Sequence, residues 1–297
     1  MVAEEFEAEV RRQDTVWSVL APPLRPSDAD LEWFARGWPA GGGQRVLIQG
    51  STPELLDLAV RKQARRIIAM DWHEPLFRAM QKLAREDWGR VEYLPCDWRV
   101  FVPDLEGTMD LVLGDGTLTM LAFPSEWEKV LRDLHRYLVP GGRLIFRLPF
   151  QPDEPLDLEH YLQGVVSLVD SKSGAADSEQ RFPLLRSIIS ELRIAFGVAS
   201  AALNGTVERM RRAELVDSFH AEFTARCGHW NEWASAREAM PTKAGVLKGK
   251  NEGGQAFPFW RPALDIVKQC GFDVKQTSWS GNRPAPGVMR FILADRI

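Results

Sequence analysis

The chain has 297 residues and 33.6 kDa, with 45% hydrophobic and 26% charged residues, which suits one large globular domain or one domain plus an insert. Its net charge of −4 and pI near 5.8 argue against a nonspecific nucleic-acid binder, which needs an excess of phosphate-neutralising charge. Cys96, Cys227 and Cys270 lie far apart with no Cys-x-x-Cys motif, and the acidic start Met-Val-Ala-Glu-Glu-Phe-Glu has neither the basic nor the apolar region of a signal peptide. With no apolar run of membrane-spanning length, these features predict a reduced, cytoplasmic protein with no membrane partner and no structural metal.

Residues 1–43 read as a helical N-terminal extension. Val10, Val16, Trp17 and Leu20 suggest a short amphipathic helix, broken by Pro22-Pro23-Leu24-Arg25-Pro26. Ser27 can then cap a second helix carrying Leu31, Phe34 and Trp38. Gly41-Gly42-Gly43 precedes a strand instead of following one, so it reads as a linker.

Next comes Arg45-Val-Leu-Ile-Gln-Gly50, a helix-like segment, and Arg66-Ile-Ile-Ala-Met-Asp71. An apolar run ending at a glycine, a helix, and a second run ending on an acid form half of a nucleotide-binding crossover. Thr52 suits an N-cap and Pro53 the first helical position. A dinucleotide fingerprint needs three spaced glycines, and only Gly50 is present. Val91 to Asp97 reads as a third strand ending on an acid, and Met109 to Asp115 as a fourth. Ser125 is expected to cap a helix whose buried stripe is Trp127, Val130, Leu131, Leu134 and Leu138. Pro140-Gly141-Gly142 then leads into a fifth strand ending near Arg147.

A glycine turn after strand one, acids after strands two and three, and Pro-Gly-Gly before strand five resemble the class I S-adenosylmethionine-dependent methyltransferases. The resemblance covers about residues 44–150 and again 259–297. It implies a Rossmann-like, seven-stranded, mostly parallel α/β sheet with a closing antiparallel hairpin, and S-adenosylmethionine as cofactor. The chain departs at Gln49-Gly50-Ser51-Thr52-Pro53-Glu54, where the family has a Gly-x-Gly core.

Residues 151–258 interrupt the alternation. Leu184, Leu185, Ile188, Ile189, Leu192, Phe196 and Ala199 fall at helical spacing, as do Val216, Phe219 and Phe223, so an all-helical insertion is expected, with a loop over 241–255. It either enlarges the fold or forms a substrate lid, and its exit beyond strand five favours the lid. Residues 259–297 then give a helix from Pro262 to Cys270 and two extended segments, 272–279 and 288–297, as the closing hairpin.

Gly50, Ser51 and Thr52 are expected to offer backbone N–H groups to the methionine carboxylate, the alternative being a plain capped turn. Glu54 either favours the helix dipole or reaches the cofactor amino group. Asp71 can accept from both ribose hydroxyls, and Trp72 either covers adenine or belongs to the core. Asp97 can accept from the adenine amino group or cap a helix, with Trp98 over the ring. Gly114 and Asp115 close strand four, where Asp115 either binds the amino group, takes a proton from the acceptor, or simply forms a turn.

Arg147 interrupts an apolar strand and so demands a carboxylate, internal or on the substrate. His220 and His229 are candidate bases that equally suit ordinary insert residues. The reading is therefore a methyltransferase acting on an O, N or S atom of a small organic molecule. A silent cofactor-binding scaffold and a nicotinamide-dependent oxidoreductase are the alternatives.

Overall fold

The protein is described here by a computed structural model covering residues 3–18, 22, 25–151, 158–173, 185, 188, 207–226, 257–279 and 288–297. In chain order the elements are α1 (Ala3–Ser18), α2 (Asp28–Gly37), β1 (Arg45–Gln49), α3 (Pro53–Arg61), β2 (Arg66–Met70), α4 (Glu74–Lys82) and β3 (Val91–Leu94). There follow β4 (Met109–Asp115), α5 (Ser125–Tyr137), β5 (Leu138–Pro149), α6 (Leu158–Ser173), α7 (Val207–Arg226), α8 (Trp260–Gln269), β6 (Phe272–Trp279) and β7 (Met289–Arg296).

The strands form one sheet in the order β3-β2-β1-β4-β5-β7-β6. β1 to β5 are mutually parallel, and β7 and β6 close the sheet antiparallel. The central strands are apolar without alternation because both faces are covered. On one face Leu47, Ile68, Val112, Leu144 and Phe146 meet Trp127, Val130, Leu131 and Leu134 of α5 and Ala263 and Val267 of α8. On the other, Val46, Ile48, Ile67, Leu111 and Leu113 meet Leu55, Leu56 and Ala59 of α3 and Phe77 and Met80 of α4.

The N-terminal helices belong to that second layer. Val10 of α1 and Trp33 and Phe34 of α2 are part of its core, and the Trp33 ring stacks on Phe291 of β7 at 4.1 Å between centroids. Ser27 makes a full capping box with Asp30 at the start of α2.

Two boundaries differ from expectation. Ser125 is the first helical residue of α5 and Pro124 occupies the capping position, with no side-chain cap. Leu138 opens β5 instead of ending the helix, because it already pairs with Met109 of β4.

Between β5 and α8 the chain leaves and returns at one place. The Gln151 N–H donates to Pro258 O at 3.0 Å, and Gln151 bridges Phe259. In the insert, Tyr161 of α6 packs on Phe219 of α7, which stacks on Phe223. Arg226 adds an ion pair to Glu159. His229 and the 241–255 segment lie outside the described residues. No helix among the described residues is long and apolar enough to cross a membrane.

Candidate cofactor-binding site

In this strand order the chain winds outward from β1 to β3 and then restarts at β4 on the other side. The crevice beyond the carboxyl ends of β1 and β4 is therefore the switch point at which open α/β sheets bind ligands. The residues that meet there come from the first turn, the end of β2, the end of β4 and the N-terminal segment.

The first turn is short. Gly50 has φ +93, and it is the one residue between Gln49 and α3 with a positive φ. A single glycine therefore satisfies the turn, because α3 starts directly at Pro53. A Cβ at Gly50 would meet Thr117 Cγ2 at 3.1 Å and Trp98 Cζ2 at 3.7 Å. Thr52 occupies the N-cap position but makes no side-chain cap bond. Among the described residues, nothing accepts from the backbone N–H groups of Ser51, Thr52 or Glu54.

Two buried polar atoms flank the turn without partners. Gln49 is 0% exposed; its Oε1 accepts from Thr117 Oγ1 at 3.0 Å, and its Nε2 has no acceptor. Glu54 Oε1 accepts from Arg25 Nε at 2.7 Å, whereas Oε2 is buried with no donor. An orphan donor, unused N–H groups and an orphan carboxylate oxygen are the set a zwitterionic amino-acid end requires. On this test the residues fit S-adenosylmethionine.

Asp71 ends β2 as expected. Its Oδ2 accepts from Ser51 Oγ at 2.9 Å and its Oδ1 from the His73 N–H at 3.0 Å. At 3% exposure, burial pushes its carboxyl up to about 6, against the lowering effect of the His73 and Ser51 bonds. Each oxygen keeps a further lone pair for a hydroxyl donor. Trp72 stands 44% exposed beside it, its ring 5.1 Å from that of His73. His73 faces Glu9 of α1 at 3.5 Å, and burial lowers its pKa.

Other expected residues are placed differently. Asp97 is clamped by Arg99, which donates from its backbone N–H at 3.0 Å and from its guanidinium at 2.9 and 2.8 Å. Trp98 does reach the switch point, with Nε1 donating to Met70 O at 2.7 Å and its ring beside Gly50. Gly114 has a packing reason of its own: a Cβ there would meet Phe146 Cε1 at 2.6 Å.

Asp115 accepts two bonds from Arg147, at 2.7 and 3.0 Å, and burial raises its pKa against the opposing guanidinium. Arg147, 0% exposed, also reaches Asp30 of α2 at 3.4 Å. Its required carboxylates are thus internal, and its guanidinium is not left open for an anionic acceptor. His220 is buried in α7 next to Phe219, within the insert.

Gln49, Thr117, Arg25 and Asp30 escape sequence reasoning. Only Gln49 carried a signal: an amide ending the strand Val-Leu-Ile-Gln must be buried by the same logic that buries its neighbours.

Comparison with known proteins fits this geometry. Residues 49–146 match the methyltransferase domain family, and no curated protein matches the chain. The N-methyltransferase NodS from Bradyrhizobium japonicum WM9, in complex with S-adenosylhomocysteine, superposes with a TM-score of 0.50 at 11% identity, covering 99% of this chain and 97% of that one. A putative Zn-dependent alcohol dehydrogenase from Rhodobacter sphaeroides gives 0.53 at 14% identity, covering 98% and 99%. An S-adenosylmethionine-dependent methyltransferase from Mesorhizobium loti gives 0.49 at 13% identity, covering 91% and 99%. At these identities the likenesses to the first two establish the fold alone. Among the described residues no three His, Cys, Asp or Glu groups gather as a metal site.

Proposed function

From a chain that carries a methyltransferase domain on the fold of the class I S-adenosylmethionine-dependent methyltransferases, we propose an enzyme that methylates an O, N or S atom of a small organic molecule. The observation that carries the reading is the β1–α3 turn, whose unpartnered donors and acceptor match the cofactor's amino-acid end.

When bound, S-adenosylmethionine supplies an activated methyl group with its own leaving group. The chain's residues then have mainly to align and to exclude water. Ser51 and Thr52 offer N–H groups to the carboxylate at the positive end of α3. Glu54 Oε2 accepts from the ammonium. Asp71, once ionised, accepts from the ribose hydroxyls, and Trp72 and Trp98 offer aromatic surface to adenine. The insert, which leaves and returns beside the end of β5, serves as a lid that closes the acceptor side and excludes water. A general base is needed only for an acceptor that must lose a proton.

One observation favours a second reading, a scaffold that binds cofactor without turnover. Thr117 and Trp98 pack against the Gly50 turn, and Asp115 is committed to Arg147, which leaves no uncommitted acid at the end of β4. Titration calorimetry with S-adenosylhomocysteine tests both readings, and micromolar or tighter binding is expected. Release of S-adenosylhomocysteine from S-adenosylmethionine with a panel of alcohol, amine and thiol acceptors separates them. Absence of binding, or a preference for NAD, defeats both.

A further inference from the structure

Between β3 and β4 the chain makes a tight turn that contains Trp98. The Val100 N–H donates to Asp97 O at 2.8 Å, and the Arg99 side chain folds back onto the Asp97 carboxylate. Three donors of Arg99 reach that carboxylate: the backbone N–H at 3.0 Å, Nε at 2.9 Å and one guanidinium arm at 2.8 Å. Trp98 stands between the two residues so joined.

The same guanidinium reaches beyond its own loop. Its second arm donates to Glu126 Oε1, in the first turn of α5, at 3.2 Å. Glu126 Oε2 in turn accepts from the Ala122 N–H at 2.6 Å. Lys129 Nζ, farther along α5, donates to Arg99 O. The turn is therefore staked to α5 through both a side chain and the backbone of Arg99. The side chains of Asp97, Arg99 and Glu126 are between 21% and 29% exposed. At that exposure ion pairs contribute little to stability, so the bracket calls for a use beyond it.

That use lies with Trp98. Its Nε1 donates to Met70 O at 2.7 Å, the same oxygen that accepts the Gly50 N–H at 2.8 Å. The ring lies beside Gly50 at the switch point and is half-buried, so it keeps accessible surface. A side chain on an irregular loop has no helix or strand to fix its direction, and one bond at its edge does not hold the loop that carries it. The bracket on either side of Trp98 does.

We propose that Arg99 is a positioning residue: by joining Asp97 to the start of α5 it holds the Trp98 indole where the ring meets the adenine of S-adenosylmethionine. The inference rests on the methyltransferase reading above and adds to it the residue on which the placement of that ring depends. Arg99 acts only through Trp98.

A double-mutant cycle, read by titration calorimetry with S-adenosylhomocysteine, tests this. Trp98→Leu should weaken binding by about 10- to 100-fold, the scale of one base–aromatic stack. Arg99→Met should weaken it by about 3- to 10-fold, the scale of a coupled neighbour. Arg99→Lys, which keeps the charge without the planar fork, should lose less. In the double variant the loss should equal that of Trp98→Leu alone, since Arg99 then has no ring to place. A merely structural arginine would add its own loss to that of the indole. Glu126→Gln, which keeps an acceptor for Ala122 and removes the ion pair, carries the cycle if Arg99→Met does not fold. Additive losses, no loss on Arg99→Met, or no loss on Trp98→Leu overturn the inference and leave the methyltransferase reading standing. Failure of the intact chain to bind S-adenosylhomocysteine overturns that reading itself.

Discussion

Asp71 holds a charge where the fold gains least from it. Burial pushes its carboxyl up to about 6 from an ordinary 3.8. A carboxyl raised on folding stabilises the native state fully below its unfolded value, and that contribution is lost as pH rises through the folded value. Above pH 6 the ionised group therefore costs about 3 kcal/mol, of which loss of the His73 or Ser51 bond on substitution would return about 1. Asp71→Asn is accordingly expected to stabilise the chain by about 1–2 kcal/mol at pH 8, with the gain vanishing toward pH 4. A residue kept only as a turn former would give the opposite sign. On the proposed role of Asp71 as the ribose acceptor, the same change should weaken S-adenosylhomocysteine binding by about 1–3 kcal/mol, since a neutral amide replaces a charged acceptor. Wild-type affinity should likewise fall as pH drops below 6. Thermal melts at several pH values with calorimetry at each check both halves, and a destabilised Asp71→Asn with normal affinity would assign Asp71 to structure alone.

At the scale of elements, α2 is fastened to the sheet by charge as well as by packing. Arg147 lies between Asp115 and Asp30, and all three side chains are almost fully buried. Arg147→Met leaves two buried carboxylates without their cation and should cost about 3–5 kcal/mol in a urea melt. Asp30→Asn keeps the two-bond Asp115 pair and should cost about 1–3. Equal and negligible effects would mean that the cluster does not secure α2. This tie also marks where the sequence stops being readable. β1, β2 and β4 are legible because covering both faces turns them into unbroken apolar runs. Gly50 and Asp71 are legible because a glycine and an acid stand at the ends of those runs. Asp30 and Arg147 lie 117 positions apart, Gln49 and Thr117 lie 68 apart, and Arg25 and Glu54 lie 29 apart. No local period records such a meeting, since it follows from the strand order and not from either neighbourhood. The same cause hides the packing constraint on Gly114, which comes from Phe146 on the adjacent strand.

At the scale of the whole molecule, the described residues of the insert and of the core bury their apolar side chains separately. Among the described residues, neither face of the sheet draws a core residue from between Phe150 and Trp260. Tyr161, Leu162, Val165, Phe219 and Phe223 are nevertheless buried, with the Tyr161, Phe219 and Phe223 rings packed on one another. The chain departs at Gln151 and returns at Pro258 across a 3.0 Å hydrogen bond, so a few residues suffice to span the gap. Replacing 152–256 with a short Gly/Ser linker therefore removes none of the core residues described on either face of the sheet. It also shortens a loop of roughly a hundred residues to about six, which lowers its closure cost by about 2–3 kcal/mol. The shortened chain should melt cooperatively, and it should bind S-adenosylhomocysteine with nearly unchanged affinity, because Gly50, Glu54 and Asp71 all lie outside the excision. If the insert is the lid proposed above, the shortened chain should transfer no methyl group to an acceptor that the full chain uses, because water is no longer excluded. Loss of folding or of cofactor binding would instead make the insert part of the core, whereas full transfer activity would reduce it to an enlargement of the fold.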